Sequence, residues 1–136
     1  MKLVDDRSGT EVISWEQCLE LLAQEEVGRL AVIVGGHPHV FPVNYVLDGT
    51  DIVFRTADGT KLDGSMRQSV AFEVDRLHSA THSGWSVVVH GVAQPVTTFS
   101  PDYKRRHPGA LQPWAAGDKS RLVRITPLRI TGRRVG

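Results

Sequence analysis

A chain of 136 residues, 40% apolar and 23% charged, suits one globular domain with one modest core. Its 16 Lys and Arg against 15 Asp and Glu leave a formal charge of +1. That balance offers no broad electrostatic basis for binding nucleic acid or an anionic membrane. The arginines crowd toward the end, at Arg121, Arg124, Arg129, Arg133 and Arg134, but they interleave with apolar residues as a strand would rather than a basic tail. No apolar run approaches the ~18 residues that a membrane-spanning helix needs, and "MKLVDDRSGT" lacks the apolar core of a secretory signal. The single cysteine, Cys18, excludes an internal disulfide framework. A single domain over 1–136 and a cytoplasmic location are the expectations.

Residues 1–13 read as a loose lead-in. "SWEQCLELLAQEEVG" then carries the marks of a helix. Ser14 and Gln17 make a capping box. Trp15, Cys18, Leu19 and Leu22 fall at the i, i+3, i+4, i+7 spacing of one buried face, and Gly28 can close the helix in a left-handed conformation. From Arg29 the punctuation changes. "RLAVIVGGHPHVFPVNYVLDGTDIVFRT" holds three apolar runs separated by Gly35-Gly36 and Asp48-Gly49, both suited to tight hairpins. Pro38 and Pro42 cannot donate to a ladder and imply an edge.

"KLDGSMRQ" is a short helix at most. "VAFEVDRLH" alternates, with Val70, Phe72 and Val74 on one face and Ala71, Glu73 and Asp75 on the other. "GWSVVVHGVAQPV" is a long strand in which Gly91 marks a bend or bulge. Residues 99–119 are irregular, with room for a short helix near Tyr103. "RLVRITPLRITGRRV" supplies a last strand, interrupted at Pro127. One helix followed by about six hairpin-connected strands predicts a mainly β protein, a closed or nearly closed antiparallel barrel that leaves no long free edge.

"FRTADGTKLDG" gathers Arg55, Thr56, Thr60 and Lys61 around an Asp-Gly bend at a strand's end. Arg offers a planar fork and Lys a point charge, both matched to phosphate oxygens. Thr60 with Asp63 can cap a following turn and aim backbone N–H groups at an anion. The stretch therefore has the chemistry of a phosphate cradle without the Gly-rich pattern of a triphosphate loop. A solvated surface turn is the competing reading of the same residues.

Other candidates are weaker. His37 and His39 share a strand face, yet no Cys or carboxylate completes a metal-ligand set beside them. His78, His82 and His90 flank the Trp85 segment and read as polar positions on a barrel. Glu73 and Asp75 could act together in acid–base chemistry, but an outward, solvated face is the stronger explanation for them. No serine stands in a nucleophile elbow, so no catalytic residue is assigned.

Taken in order, "VGRLAV", "PVNY", "IVFRTADGTKL", "VAFEVD" and "GWSVVVHG" resemble the small FMN-binding split-barrel proteins related to pyridoxamine 5′-phosphate oxidase. The similarity is greatest to the nitroimidazole-resistance-like and actinobacterial flavoproteins, and it spans roughly residues 14–97. The resemblance implies a six-stranded antiparallel split β-barrel with an N-terminal helix and short peripheral helices. It also implies a homodimer with two flavin sites at the subunit interface. Val43, Asn44 and Tyr45 would lie along the flavin ring. Phe54, Arg55, Thr56, Thr60 and Lys61 would hold the phosphate of FMN, and Trp85 would stand near the ring or the dimer interface. The oxidase itself is longer and commonly closes Arg-Leu-Ala-Pro. This chain closes "ITGRRVG", which argues against vitamin B6 oxidation. Related split barrels take the deazaflavin F420 or haem, so the alternatives to an FMN oxidoreductase are an F420-dependent reductase and a non-catalytic flavin or haem module.

Overall fold

The computed structural model describes residues 3–4, 10–56, 64–96 and 121–136. Helix α1 (Trp15–Leu22) starts where the capping box predicts: Ser14 Oγ accepts from the Gln17 N–H, and Gln17 Oε1 accepts from the Ser14 N–H. It ends earlier than expected, at Ala23, in right-handed conformation. Gly28 is no helix cap. It lies in strand β3 (Val27–Val34), where a Cβ would come within 2.2 Å of the Phe72 ring. The missing side chain there makes room for an aromatic ring laid across the strand. The buried helix face is Cys18, Leu21 and Leu22, while Trp15 in the first turn is 48% exposed.

Strands β4 (His37–Asp48) and β5 (Asp51–Thr56) follow through the two expected turns, with Gly35, Gly36 and Gly49 at positive φ. Next come β6 (Ser69–His78), β7 (Ser83–Pro95) and β8 (Arg121–Val135). Antiparallel pairing runs β8–β5–β4–β3–β6–β7, and β7 pairs again with β8, so these six strands close a barrel. Two short strands extend its edge, β1 (Leu3–Val4) and β2 (Glu11–Ile13). β2 lies inside the segment read as a loose lead-in, and it pairs with the end of β8 at Glu11↔Arg134. The short helix expected near Tyr103 falls outside the described residues.

Strand β8 is continuous through Pro127. The missing N–H is absorbed by a register shift, with His90 opposite Arg129 and Gly91 opposite Pro127. Leu128 is left over and stands 75% exposed. A Cβ on Gly91 would lie 2.3 Å from the Thr126 carbonyl oxygen, so glycine is what lets the strands close up at this bulge. Alternate residues fill the interior, among them Leu30, Val32, Ile52, Phe54, Phe72 and Val87. Helix α1 docks on β8 at Gly132, where an added Cβ would meet Cys18 Sγ at 2.6 Å. At the other end Arg124 clamps the β4–β5 hairpin, its Nη2 2.6 Å from Asp48 Oδ2 and its Nη1 2.9 Å from Asp51 Oδ2.

Candidate functional site

The barrel splits along β4. Toward β3 the strand is paired from His37 to Asn44, but toward β5, among the described residues, it is paired only from Tyr45↔Phe54 to Asp48↔Asp51. Beyond that point β5 continues with β8 alone, through Arg55↔Leu122 to Thr56↔Arg121. Strands β4 and β5 therefore part at Tyr45 and Phe54. The Tyr45 N–H reaches the Glu26 carbonyl at 3.0 Å, which sets the phase of the ladder. Residues 39, 41, 43 and 45 turn their main-chain groups toward β3, and residues 38, 40, 42 and 44 turn theirs toward the split. Pro38 and Pro42 occupy the split-facing phase, the only one an unbroken β3 ladder tolerates for a residue without an N–H.

Side-chain alternation divides the expected site residues between two faces. Val43, Tyr45, Phe54 and Thr56 share the inward phase: Tyr45 and Phe54 are core members, Val43 packs against the core and Thr56 is buried at the strand's end. The Tyr45 hydroxyl donates to the Leu22 carbonyl, and its ring meets Phe72 edge-on at 5.1 Å between centroids. Burial, followed by the nearby Glu25 charge, pushes the phenol pKa well above its ordinary range. Trp85 is 8% exposed and belongs to the same core. Asn44 and Arg55 take the outward phase, and the Asn44 amide nitrogen is buried. Extending the Tyr45↔Phe54 register by one residue puts Asn44 and Arg55 on facing lips of the split. Thr60 and Lys61 lie outside the described residues.

The outer face carries a group that sequence reasoning undervalued. Arg29 Nη1 lies 3.1 Å from Glu73 Oε1 and 3.2 Å from Asp75 Oδ2. The two carboxylate side chains are only 33% and 20% exposed, so they face outward without being fully solvated. Burial first, then the hydrogen bond and charge of Asp75, push the Glu73 carboxyl up to about 7 against the opposing pull of Arg29. The i, i+2 spacing of Glu73 and Asp75 was visible in sequence; their partner Arg29, 44 and 46 residues earlier, was not. A polar cleft of about 450 Å³ opens beside them, lined by Gln24, Glu25, Glu26, Val27, Arg29 and Asp75.

The next rows of this face are apolar. Val40 pairs with Ala31, Ala31 with Ala71 and Ala71 with His90, and the bulged Leu128 follows on β8. Ala31, Ala71, His90 and Leu128 border a groove of about 350 Å³ that also takes in Ile33 and Pro38. Ile33, Val40 and Leu128 are each more than half exposed. Among the described residues no three His, Cys, Asp or Glu side chains come together as metal ligands, and no helix is long and apolar enough to cross a membrane.

A six-stranded antiparallel barrel that opens between two neighbouring strands is the architecture of the flavin-binding split-barrel proteins. A family model for pyridoxamine 5′-phosphate oxidase matches residues 14–134, and the chain belongs to that family. It is 31% identical over 137 residues to an uncharacterized protein of Mycobacterium tuberculosis, Rv0080, across 95% of this chain and 89% of that one. The structure of an FAD-binding protein from Mycobacterium smegmatis superposes with a TM-score of 0.71 at 32% identity, covering 93% of this chain and 99% of the other. An FAD-binding protein from Mesorhizobium loti shares the fold with a TM-score of 0.72 at 22% identity, over 93% and 99% of the two chains.

Proposed function

We propose that the protein is an FMN-binding flavoprotein of the cytoplasm, an oxidoreductase that passes hydride or electrons to a small acceptor. It would act as a homodimer whose second copy completes each flavin site. The observation that carries this reading is the split, because β4 presents the main chain of Pro38–Asn44 opposite Arg55. These groups fit a flavin. Arg55 would take phosphate charge as a fork of donors, and the main chain and amide of Asn44 would meet the polar edge of the ring. The flavin supplies the electron sink, and the chain binds it, orients it and sets its surroundings. Tyr45 and Phe54 act from beneath, holding the lip in place from inside the core that Trp85 shares. The exposed row Val40, Ile33 and Leu128 is the face a second copy would cover.

A second reading, FAD in place of FMN, is favoured by the FAD-binding relative from Mycobacterium smegmatis. The absorbance spectrum of the purified protein and titrations with FMN, FAD and F420 decide among these. A flavin spectrum with tightest binding of FMN is the expected result. Arg55→Ala should weaken FMN binding about tenfold or more, since a charge-assisted hydrogen bond contributes about 1.5–3 kcal/mol. Wild-type protein that takes up no flavin would end the proposal.

A further inference from the structure

On the outer face Pro42 is the cross-strand neighbour of Arg29, and Arg29 that of Glu73. Side chains at such positions are in reach of one another. Arg29 therefore stands between the lip of the split and a pair of carboxyl groups, with one nitrogen shared by Glu73 and Asp75. Burial and the neighbouring Asp75 carboxyl both raise Glu73, against the pull of Arg29. Among the described residues no other cation is as well placed. On β7 the residues opposite are Val88 and Ser86, both uncharged, and on β4 it is Pro42. Arg133 lies beyond Ser86 on β8, and His90 lies one row away on β7. Glu25 and Glu26 line the cleft, with Arg76 held by Glu25 at 3.3 Å.

We infer that Arg29, Glu73 and Asp75 couple anion binding at the split to proton uptake. A ligand phosphate seated between Arg55 and the facing main chain at Asn44 draws Arg29 toward itself past Pro42, and the carboxyl pair, losing its cation, takes a proton from solvent. One O–H bond forms on a Glu73 carboxylate oxygen, and the charge brought by the ligand is offset on the same face. The identity of the anion rests on the flavin reading above. The direction of the coupling follows from the present balance. Glu73 titrates near neutrality while Arg29 pulls it down, so withdrawing Arg29 raises it further. Binding should then weaken as pH rises above 7.

The test is FMN affinity between pH 7 and 8.5, above the second phosphate ionisation at about 6. Calorimetry in two buffers of different ionisation enthalpy counts the protons. Wild-type protein should lose affinity severalfold over that range and take up a fraction of a proton on binding. Glu73→Gln should bind FMN with a flat pH profile and no uptake, and Asp75→Asn, as an independent variant, should flatten it too. Carboxyl carbon NMR of the ligand-free protein should show Glu73 titrating near neutrality. Failure of the wild type to bind any flavin overturns the functional reading and this inference with it. Flavin binding with no proton uptake, with uptake unchanged in Glu73→Gln, or with Glu73 titrating in the ordinary carboxylate range, overturns this inference alone.

Discussion

The Tyr45 hydroxyl ends at the Leu22 carbonyl, the last residue of α1. One side chain thus ties the helix terminus to the strand that borders the split, and a helix's final carbonyls need such partners. Tyr45→Phe should lower stability by about 1–2 kcal/mol in a denaturant titration, because a buried carbonyl loses its donor. It should leave the flavin dissociation constant unchanged, since no part of the phenol faces the split. Loss of flavin binding in a stably folded Phe variant would show that the Tyr45 hydroxyl acts on the ligand. Alternation along β4 and β5 is legible in the sequence. What it implies at Phe54-Arg55-Thr56 is that neighbours face opposite ways, so Arg55 cannot share its direction with Phe54 and Thr56. A reading by residue type groups them; the pleat separates them.

Between elements, close approach decides the packing. Strand β3 crosses the Phe72 ring at Gly28, just before Arg29 turns out toward Glu73. Gly28→Ala should cost about 1–3 kcal/mol, the usual penalty for overpacking, seen as a lower urea midpoint with an unchanged slope. A neutral result would mean that β6 can shift away from β3 freely. The sequence marks this glycine but not its use, and a helix cap is as natural a guess from chain order. Only the antiparallel pairing of β3 with β6, which brings residue 28 beside residue 72, tells the two apart. The bulge beside Gly91 is different. The glycine and Pro127 were both legible as irregularities, but their meeting on adjacent strands, with Leu128 pushed outward between them, depends on long-range register.

At the scale of the molecule, the outer face of the barrel runs from ion-paired rows at Arg29 and Glu73 to apolar rows at Ala31, Ile33 and Leu128. A charged border around an apolar patch is the usual anatomy of an interface. Wild-type protein should sediment as a dimer at micromolar concentration, and Leu128→Asp should sediment as a monomer with an unchanged circular dichroism spectrum. The Leu128 side chain already stands 75% exposed, so the substitution leaves the core alone. A variant that stays dimeric would place the contact on another face.

The amino-acid sequence by itself determined the capped helix, the glycine hairpins, the alternating strands and the barrel class, because each depends on spacings of a few residues along the chain. It also named Arg55 and Asn44. Only the tertiary structure decided that β4 and β5 separate past Tyr45, that Tyr45 and Trp85 face the core, and that Arg29 meets Glu73 and Asp75. Those are pairings between residues remote in the chain, and the choice among possible pairings rests on how the whole barrel closes, which no local pattern encodes.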